Sequence, residues 1–230
     1  MTEIIVALDV PSARDALALL DRLPEARWVK VGSILFTREG PALIEVLRRR
    51  GLEVFLDLKW HDIPNTVAGS VAVARSLGVA MATVHTLGGA AMMQAAQEAA
   101  GNEVALVGVT VLTSHDDASL AAALGRPAAV AADEVARLAG GAREAGLAGV
   151  VCSPHEVSRV REVLAAGSRV VVPGIRAAAA PPDDQRRTAS AGDAVSAGAT
   201  HLVVGRPILA AQDPGTAFRQ LLREAEAPVG

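Results

Sequence analysis

The segment Asp57-Leu58-Lys59-Trp60-His61-Asp62 places one lysine between two carboxylates. In an extended strand Asp57 and Lys59 lie on the same face, because side chains alternate along the chain. A lysine beside carboxylates keeps its proton, since nearby negative charge favours the cation. Such a lysine is poorly suited to Schiff-base chemistry, which requires a neutral amine, and well suited to donating a proton to a developing carbanion. Lys59 is therefore our candidate proton donor.

The composition singles out the same residue. The chain has 230 residues and 22 lysines and arginines, but only Lys30 and Lys59 are lysines. Arginine cannot lose its proton in a protein, whereas lysine can exchange one and is a compact point charge. Two lysines in an arginine-rich chain suggest positions where arginine would not serve, unless the sequence is simply biased against lysine. Their positions in the fold decide between these alternatives.

Charge and hydropathy exclude several classes of protein. The net charge is −3, and the one basic run, Arg48-Arg49-Arg50, ends a predicted helix, so we expect no nucleic-acid binding. The hydrophobic fraction of 51% is ample for a large core, but no apolar stretch approaches the roughly 18 residues that span a bilayer. Cys152 is the only cysteine, which excludes an intramolecular disulfide. The N-terminus lacks the features of a signal peptide, and we expect a cytoplasmic location with no membrane contact.

Short β-rich apolar runs alternate with longer helical patterns. Eight of each predict an α/β fold, a single (β/α)8 TIM barrel that forms one domain over residues 1–230. The competing architecture is an open, doubly wound sheet, but no Gly-x-Gly-x-x-Gly fingerprint follows the first strand. The predicted strands are 4–9, 28–31, 54–59, 82–85, 105–109, 149–152, 169–172 and 201–204. The predicted helices are 13–22, 41–50, 67–77, 90–99, 131–145, 154–164, 189–197 and 216–225.

In such a barrel, catalytic groups sit at the carboxyl ends of the strands. Ionisable residues at these positions are Asp9, Lys30, Asp57, Lys59 and His85, which include both lysines of the chain. If Asp9 and Lys30 point inward, charges of opposite sign alternate around the barrel mouth. The alternative is a salt-bridge network that only fills the end of the barrel. Buried charge clusters are a costly way to fill space, so we favour a functional site. His85 either lines this site or ends its strand as a satisfied histidine.

Two glycine- and arginine-containing motifs follow the last two strands. Pro173-Gly174-Ile175-Arg176 follows strand 7, and Gly205-Arg206-Pro207 follows strand 8. Barrels frequently bind phosphate with these loops, where glycine lets backbone N–H groups approach the anion and arginine adds a charge-assisted hydrogen bond. The stretch 176–188, which contains Gln185, is predicted to be a lid over the phosphate.

The remaining polar residues are assigned structural roles. The other histidines show no metal-ligand spacing with one another or with Cys152, which we interpret as a small buried strand residue. His115-Asp116-Asp117 is predicted to be a solvated loop, and Ser153-Pro154-His155-Glu156 to begin a helix. We therefore predict no metal site.

With these features in place, the sequence resembles the orotidine 5′-phosphate decarboxylases. The ten residues from Asp57 to Thr66 match that family's signature almost residue for residue, with Trp60 as a bulky choice within it. Residues 119–132 match no motif of the family. Shorter motifs support the resemblance, in the order Ala7-Leu8-Asp9, Val29-Lys30-Val31-Gly32, Val84-His85, Val111-Leu112-Thr113-Ser114, Pro173-Gly174-Ile175-Arg176, Asp184-Gln185 and Val203-Val204-Gly205-Arg206-Pro207-Ile208.

The resemblance implies a reaction and a set of roles. Orotidine 5′-phosphate would lose CO2 to give uridine 5′-phosphate (UMP), the last step of de novo pyrimidine synthesis, without metal or cofactor. Lys59 would protonate C6, Asp57 would lie beside the leaving carboxylate, and Asp9 and Lys30 would bind ribose hydroxyls. The enzyme would be an obligate homodimer with shared active sites. The other implied roles are Thr113 or Ser114 at the pyrimidine, Arg176, Gln185, Gly205 and Arg206 at the phosphate, and Asp62, Ile63 and Thr66 in the neighbouring subunit's site.

Two other functions stay open. A metal-dependent sugar-phosphate lyase of the same barrel suprafamily, such as a keto-gulonate phosphate decarboxylase or a hexulose phosphate synthase, shares the Asp-x-Lys-x-x-Asp core. It is not expected to carry Ile63-Pro64-Asn65-Thr66 after that core, and it needs magnesium. A non-catalytic nucleotide-binding protein is the other alternative, but such a protein has little use for Lys59 between carboxylates.

Overall fold

The computed structural model describes residues 2–176 and 188–226, and within them eight parallel strands close into a barrel in chain order. The predicted (β/α)8 TIM barrel is thereby confirmed, and each strand lies within two residues of its predicted bounds. The strands are β1 (Glu3–Ala7), β2 (Trp28–Gly32), β3 (Glu53–Trp60), β4 (Met81–His85), β5 (Ala105–Val109), β6 (Gly149–Val151), β7 (Arg169–Val172) and β8 (His201–Val204).

All eight predicted helices are present with small shifts at their ends. The helix predicted at 67–77 begins earlier, at Pro64, a residue that suits the first helical turn. The one predicted at 154–164 starts with a 3-10 turn, Pro154–Glu156. Within residues 2–176 and 188–226, no helix is long and apolar enough to cross a membrane. The α-helices are α1 (Ala13–Leu20), α2 (Ser33–Glu39), α3 (Pro41–Arg49), α4 (Pro64–Ser76), α5 (Gly89–Ala100), α6 (Asp117–Ala123), α7 (Ala131–Glu144), α8 (Val157–Val163), α9 (Ala191–Ser196), α10 (Arg206–Leu209) and α11 (Pro214–Glu226).

Three short helices, α2, α6 and α10, are absent from the sequence prediction. None exceeds seven residues, which is too short for a reliable apolar period. The solvated loop predicted at 115–117 is confirmed for His115 and Asp116 but was wrong for Asp117, where α6 begins. The Asp116 carboxylate caps this helix by accepting a hydrogen bond from the Ser119 backbone N–H at 2.9 Å. The same residue types favour caps and loops, so composition alone does not separate them.

The hydrophobic core has two layers, separated by the barrel wall. In the outer layer the strands pack against the helices, and Leu56 and Leu58 of β3 belong to this layer. Phe55, on the opposite face of β3, belongs to the inner layer. The predicted alternation is confirmed, so Asp57 and Lys59 follow Phe55 along the inside of the barrel. The inner layer comprises Ile5, Ala7, Phe55, Met81, Val107, Val171 and Val203.

Aromatic and cationic side chains close the amino end of the barrel. The rings of Trp28 and His201 meet edge to face, with centroids 5.5 Å apart, and the Arg169 guanidinium carbon lies 5.7 Å from the Trp28 ring centroid. His201 is buried, and burial lowers its pKa to about 4, with a smaller contribution from the charge of Arg169. A neutral imidazole, that of His201, therefore lies at the amino end of β8.

We expect acid to destabilise the protein through His201. Its pKa is about 4 in the folded state and about 6.5 in an unfolded chain, so the unfolded state binds the proton more readily. The stability that neutral His201 contributes is complete above about pH 6.5 and is lost as the pH falls towards 4. Urea unfolding at pH 7.5 and at pH 5.0 gives the free energy of unfolding at each pH. Between these two values, the fall in that free energy should be about 2 kcal/mol smaller in His201→Gln than in the wild type. The exposed His155 supplies the control, because His155→Gln should keep the wild-type loss. An equal loss in His201→Gln and wild type would contradict this account.

Candidate active site

A cavity of about 480 Å³ opens at the carboxyl ends of the strands. It is where the barrel architecture places catalytic groups, and residues from β1, β2 and β3 meet there with the loops after β5, β7 and β8. Within the described residues, no group of three or more His, Cys, Asp or Glu side chains is arranged to hold a metal ion. Of the residues predicted from sequence, the cavity is lined by Asp9, Lys30, Asp57, Lys59, Thr113, Arg176, Gly205 and Arg206.

Four charged side chains form a row along one side of this cavity. The Lys30 ammonium lies 2.8 Å from a carboxylate oxygen of Asp9 and 3.8 Å from one of Asp57. The Lys59 ammonium contacts both oxygens of Asp57, at 2.8 and 2.9 Å. Each cation therefore faces a carboxylate, and Asp57 lies between the two lysines. The predicted alternation of charge at the barrel mouth is confirmed in geometry.

Lys59 reaches this position through an irregular backbone. Leu56 pairs with Ala82 and Trp60 with Val84, so four residue steps of β3 are matched by two of β4. Among the described residues, Lys59 is the only non-glycine residue with a positive φ, 52°. A left-handed backbone costs roughly 1–2 kcal/mol for a residue with a side chain. The fold tolerates this cost at the residue whose ammonium contacts Asp57.

Thr83 of β4 is a residue of this site that the sequence prediction missed. It has no exposed surface, and its hydroxyl accepts a hydrogen bond from the Lys59 backbone N–H at 2.8 Å. The same hydroxyl donates to Asp57 Oδ1 at 3.1 Å. The alternation of side chains along β4 could have suggested that Thr83 faces the site, because it is the polar residue between Met81 and His85 on the same face of the strand. Threonine is common in strands for steric reasons, so that signal is weak.

The two predicted phosphate-binding motifs also line the cavity. Gly174 has a φ of +82°, which a residue with a side chain rarely adopts, and Gly205 directly precedes α10. The Arg176 backbone N–H donates a hydrogen bond to the Ala189 carbonyl at 2.9 Å. Arg176, which lines the cavity, is thereby joined to the chain that leads into α9. Gln185 and most of the predicted lid lie outside the described residues.

Several predicted residues lie away from the cavity of their own chain. Asp62, Ile63, Thr66 and Ser114 are exposed and do not line it. The Asp62 carboxylate accepts a hydrogen bond from the Ile63 backbone N–H at 2.6 Å, and Ile63 is 67% exposed. Within one chain, Lys59 therefore contacts one of its two flanking aspartates, Asp57.

Two histidines stack at the rim of the site. The rings of His61 and His85 are nearly parallel, with centroids 5.3 Å apart. His85 Nδ1 accepts a hydrogen bond from the Leu87 backbone N–H at 3.3 Å, so His85 is a satisfied strand-end histidine and does not line the cavity. Burial lowers its pKa to about 4, and the charges of His61 and Lys59 add to this.

Known proteins resemble this chain over its whole barrel. The family model described as orotidine 5′-phosphate decarboxylase / HUMPS family matches residues 2–221. The orotidine 5′-phosphate decarboxylase of Alkalilimnicola ehrlichii is 54% identical over 231 residues, covering 98% of this chain and 97% of that protein. That of Halorhodospira halophila is 51% identical over 230 residues, covering 97% and 96%. The crystal structure of orotidine 5′-phosphate decarboxylase from Lactobacillus acidophilus superposes with a TM-score of 0.87 at 36% identity, covering 99% of this chain and 100% of that one.

His85 should report the charge of Lys59. In a pH titration followed by histidine NMR, we expect its midpoint near 4, because burial and neighbouring positive charge both disfavour the imidazolium. Lys59→Ala should raise this midpoint, since it removes one of those charges. Arg206→Ala removes a cation that does not contribute to the shift and should leave the midpoint unchanged. A His85 midpoint at the ordinary value of about 6.5 would contradict the described environment.

Proposed function

The chain belongs to the orotidine 5′-phosphate decarboxylase / HUMPS family, and from that premise we propose that it converts orotidine 5′-phosphate to UMP and CO2, the last step of de novo pyrimidine synthesis. The observation that carries the proposal is the row Asp9, Lys30, Asp57 and Lys59 in a cavity that Gly205 and Arg206 also line. A cytoplasmic location belongs to the same proposal, because the substrate and product are intermediates of nucleotide synthesis.

In the proposed reaction Lys59 is the proton donor. The C6–carboxylate bond breaks, its electron pair stays on C6, and the Lys59 ammonium delivers a proton there while CO2 leaves. Contact with both oxygens of Asp57 keeps the Lys59 side chain directed along the row. Asp57 lies beside the substrate carboxylate, where repulsion between the two anions is relieved when CO2 departs.

The rest of the cavity binds the nucleotide. Lys30 is buried and held by Asp9 at 2.8 Å, and this pair binds the ribose hydroxyls. Thr113 lines the cavity and Ser114 does not, which favours Thr113 as the pyrimidine contact. The phosphate is bound by the loops after β7 and β8, through Arg176, Gln185, Gly205 and Arg206.

The height of the decarboxylation barrier explains why some residues of the cavity bind the nucleotide and others act on C6. Decarboxylation without an electron sink has a very high barrier, and the required stabilisation is on the order of 20 kcal/mol. No single contact supplies that amount. Preorganised charge at Lys59 and Asp57 contributes part of it, and phosphate binding in the loops after β7 and β8 contributes part by holding C6 against Lys59.

Residues 1–230 act as a single domain in this proposal. Asp9 follows β1 and Arg206 follows β8, so the cavity needs both ends of the chain. A piece that lacks either end leaves the barrel open and the site incomplete.

We also propose a homodimer in which each site receives residues from the partner. The exposed positions of Asp62, Ile63 and Thr66 support this, because they cannot serve the cavity of their own chain in this geometry. Large exposed apolar side chains follow four consecutive strands, β2 to β5, on the same end of the barrel. These side chains are Ile34, Ile63, Leu87 and Leu112, with exposures of 76%, 67%, 44% and 38%.

The first test is turnover of orotidine 5′-phosphate, followed by absorbance. We expect the wild type to be active and to remain active in EDTA, whereas a metal-dependent sugar-phosphate lyase loses its activity. Lys59→Ala should lower kcat by at least about 10³-fold, because it removes the proton donor, while UMP binding stays measurable by calorimetry. Lys59→Arg is the matched control for charge, since arginine keeps the cation but cannot give up its proton. Normal turnover in Lys59→Ala would refute the proposed mechanism.

The shared site is tested by mixing two inactive variants. Lys59→Ala and Asp62→Ala should each be inactive alone, since each site needs Lys59 from one chain and Asp62 from the other. Equal amounts, exchanged through mild denaturant, form heterodimers with one intact site each, so about a quarter of wild-type activity should return. Analytical ultracentrifugation checks that dimers re-form. If Asp62 serves its own chain, mixing restores no activity.

A further inference from the structure

Thr83 joins the backbone of Lys59 to the carboxylate of Asp57 through one hydroxyl. That hydroxyl accepts from the Lys59 N–H, so its single hydrogen is free for Asp57 Oδ1, 3.1 Å away. We propose that Thr83 is a positioning residue that fixes Lys59 and Asp57 relative to each other for the proton transfer. This proposal rests on the proposed decarboxylation and adds a residue that the sequence motifs do not contain.

The irregular pairing of β3 and β4 explains why a side chain is needed here. Two extra residues of β3 are accommodated between Leu56 and Trp60, so the ladder does not supply a regular backbone partner throughout this span. The Lys59 N–H instead donates to Thr83 at 2.8 Å. A buried backbone N–H without a partner is costly, so this bond stabilises the left-handed backbone that carries the ammonium.

The same hydroxyl holds one of the two Asp57 oxygens that form the ion pair with Lys59. Asp57 Oδ1 receives both the Thr83 hydroxyl and the Lys59 ammonium, at 3.1 and 2.8 Å. The Lys30 ammonium approaches the other oxygen, at 3.8 Å. Because the Lys59 ammonium also contacts Oδ2, at 2.9 Å, Thr83 restrains the rotation of the whole Asp57 carboxylate, and the direction of the Lys59 Nζ follows from that.

A buried threonine can also be a purely structural strand residue, and Thr86 shows that case in the same region. Thr86 is 3% exposed, and its hydroxyl donates to the Val109 carbonyl at 2.7 Å. Among residues 2–176 and 188–226, the Thr86 hydroxyl bonds to this backbone carbonyl and to no ionisable side chain. Thr86→Val is therefore the matched control for the loss of one buried threonine hydroxyl.

The kinetic test compares variants at position 83. Thr83→Val keeps the shape and removes the hydroxyl, and we expect kcat to fall about 10- to 100-fold, which is the range for a lost hydrogen bond to a charged group. KM and the dissociation constant for UMP should change by less than about three-fold, because ribose and phosphate contacts are untouched. Thr83→Ser should restore most of kcat. Thr83→Ala is the second hydroxyl-free variant, and urea unfolding selects the variants that are folded at the assay temperature.

The spectroscopic test does not depend on turnover. In a protein labelled with 13C-lysine only Lys30 and Lys59 give side-chain signals, because the chain has no other lysine. In Thr83→Val the Lys59 Cε signal should shift or broaden, while the Lys30 signal, held chiefly by Asp9 at 2.8 Å, stays in place. Thr86→Val should leave both signals unchanged.

The outcomes separate the two proposals. An inactive wild type refutes the proposed function, and the lysine spectra still test the positioning. Folded Thr83→Val with wild-type kcat overturns the role of Thr83, as does an unchanged Lys59 signal. A fall in kcat that Thr83→Ser does not restore, or that Thr86→Val reproduces, also overturns it, because it shows a general packing defect.

Discussion

The contact between the Lys59 ammonium and the Asp57 carboxylate is the interaction on which the rest of the site depends. Moving either charge out of water is unfavourable unless an opposite charge faces it at close range. Asp57 has only 13% of its side chain exposed, and it is tolerated because Lys59 and Lys30 both approach it. Lys30 in turn needs Asp9. The row of four charges is therefore one electrostatic unit, in which the two buried members, Lys30 and Asp57, each face two opposite charges.

The two ends of the barrel differ in the kind of side chain that fills them. At the amino end, Trp28, Arg169 and neutral His201 close the interior with aromatic contacts. At the carboxyl end, the apolar inner layer stops at Phe55 and charged side chains begin at Asp57, two residues further along the same face of β3. The apolar layer beneath the charges keeps water out from below, which strengthens the electrostatic interactions above it. The apolar packing inside the barrel thus strengthens the ion pairs at its carboxyl end.

The sequence predicted those features that follow from side-chain parity and strand position. Eight strands, the inward face of β3 and the meeting of Asp9, Lys30, Asp57 and Lys59 all follow from alternation and from the rule that strand ends meet at one mouth. The local departures from regularity could not be predicted in this way. The β3 irregularity and the Thr83 bonds depend on how two strands pair, which a single strand's pattern does not encode. The helices α2, α6 and α10 are too short for a period, and the aromatic amino end brings together residues far apart in the chain.

The placement of the site residues bears on how the proposed decarboxylation would overcome so high a barrier. Lys59 and Asp57 lie on β3, whereas Gly205 and Arg206 follow β8 and Arg176 follows β7, so different parts of the barrel rim carry the candidate proton donor and the candidate phosphate-binding loops. In the proposed reaction, a nucleotide with its phosphate in these loops and its C6 beside Lys59 is held at both ends. Binding energy gained at the phosphate can then be used to keep an anionic group next to Asp57, a position it would otherwise avoid. This use of binding energy requires that Asp57 and Lys59 keep their positions when the anionic group is brought close to them. The left-handed backbone of Lys59 and the hydrogen bonds of the buried Thr83 hold the two residues against β4, which gives a physical reason for both features.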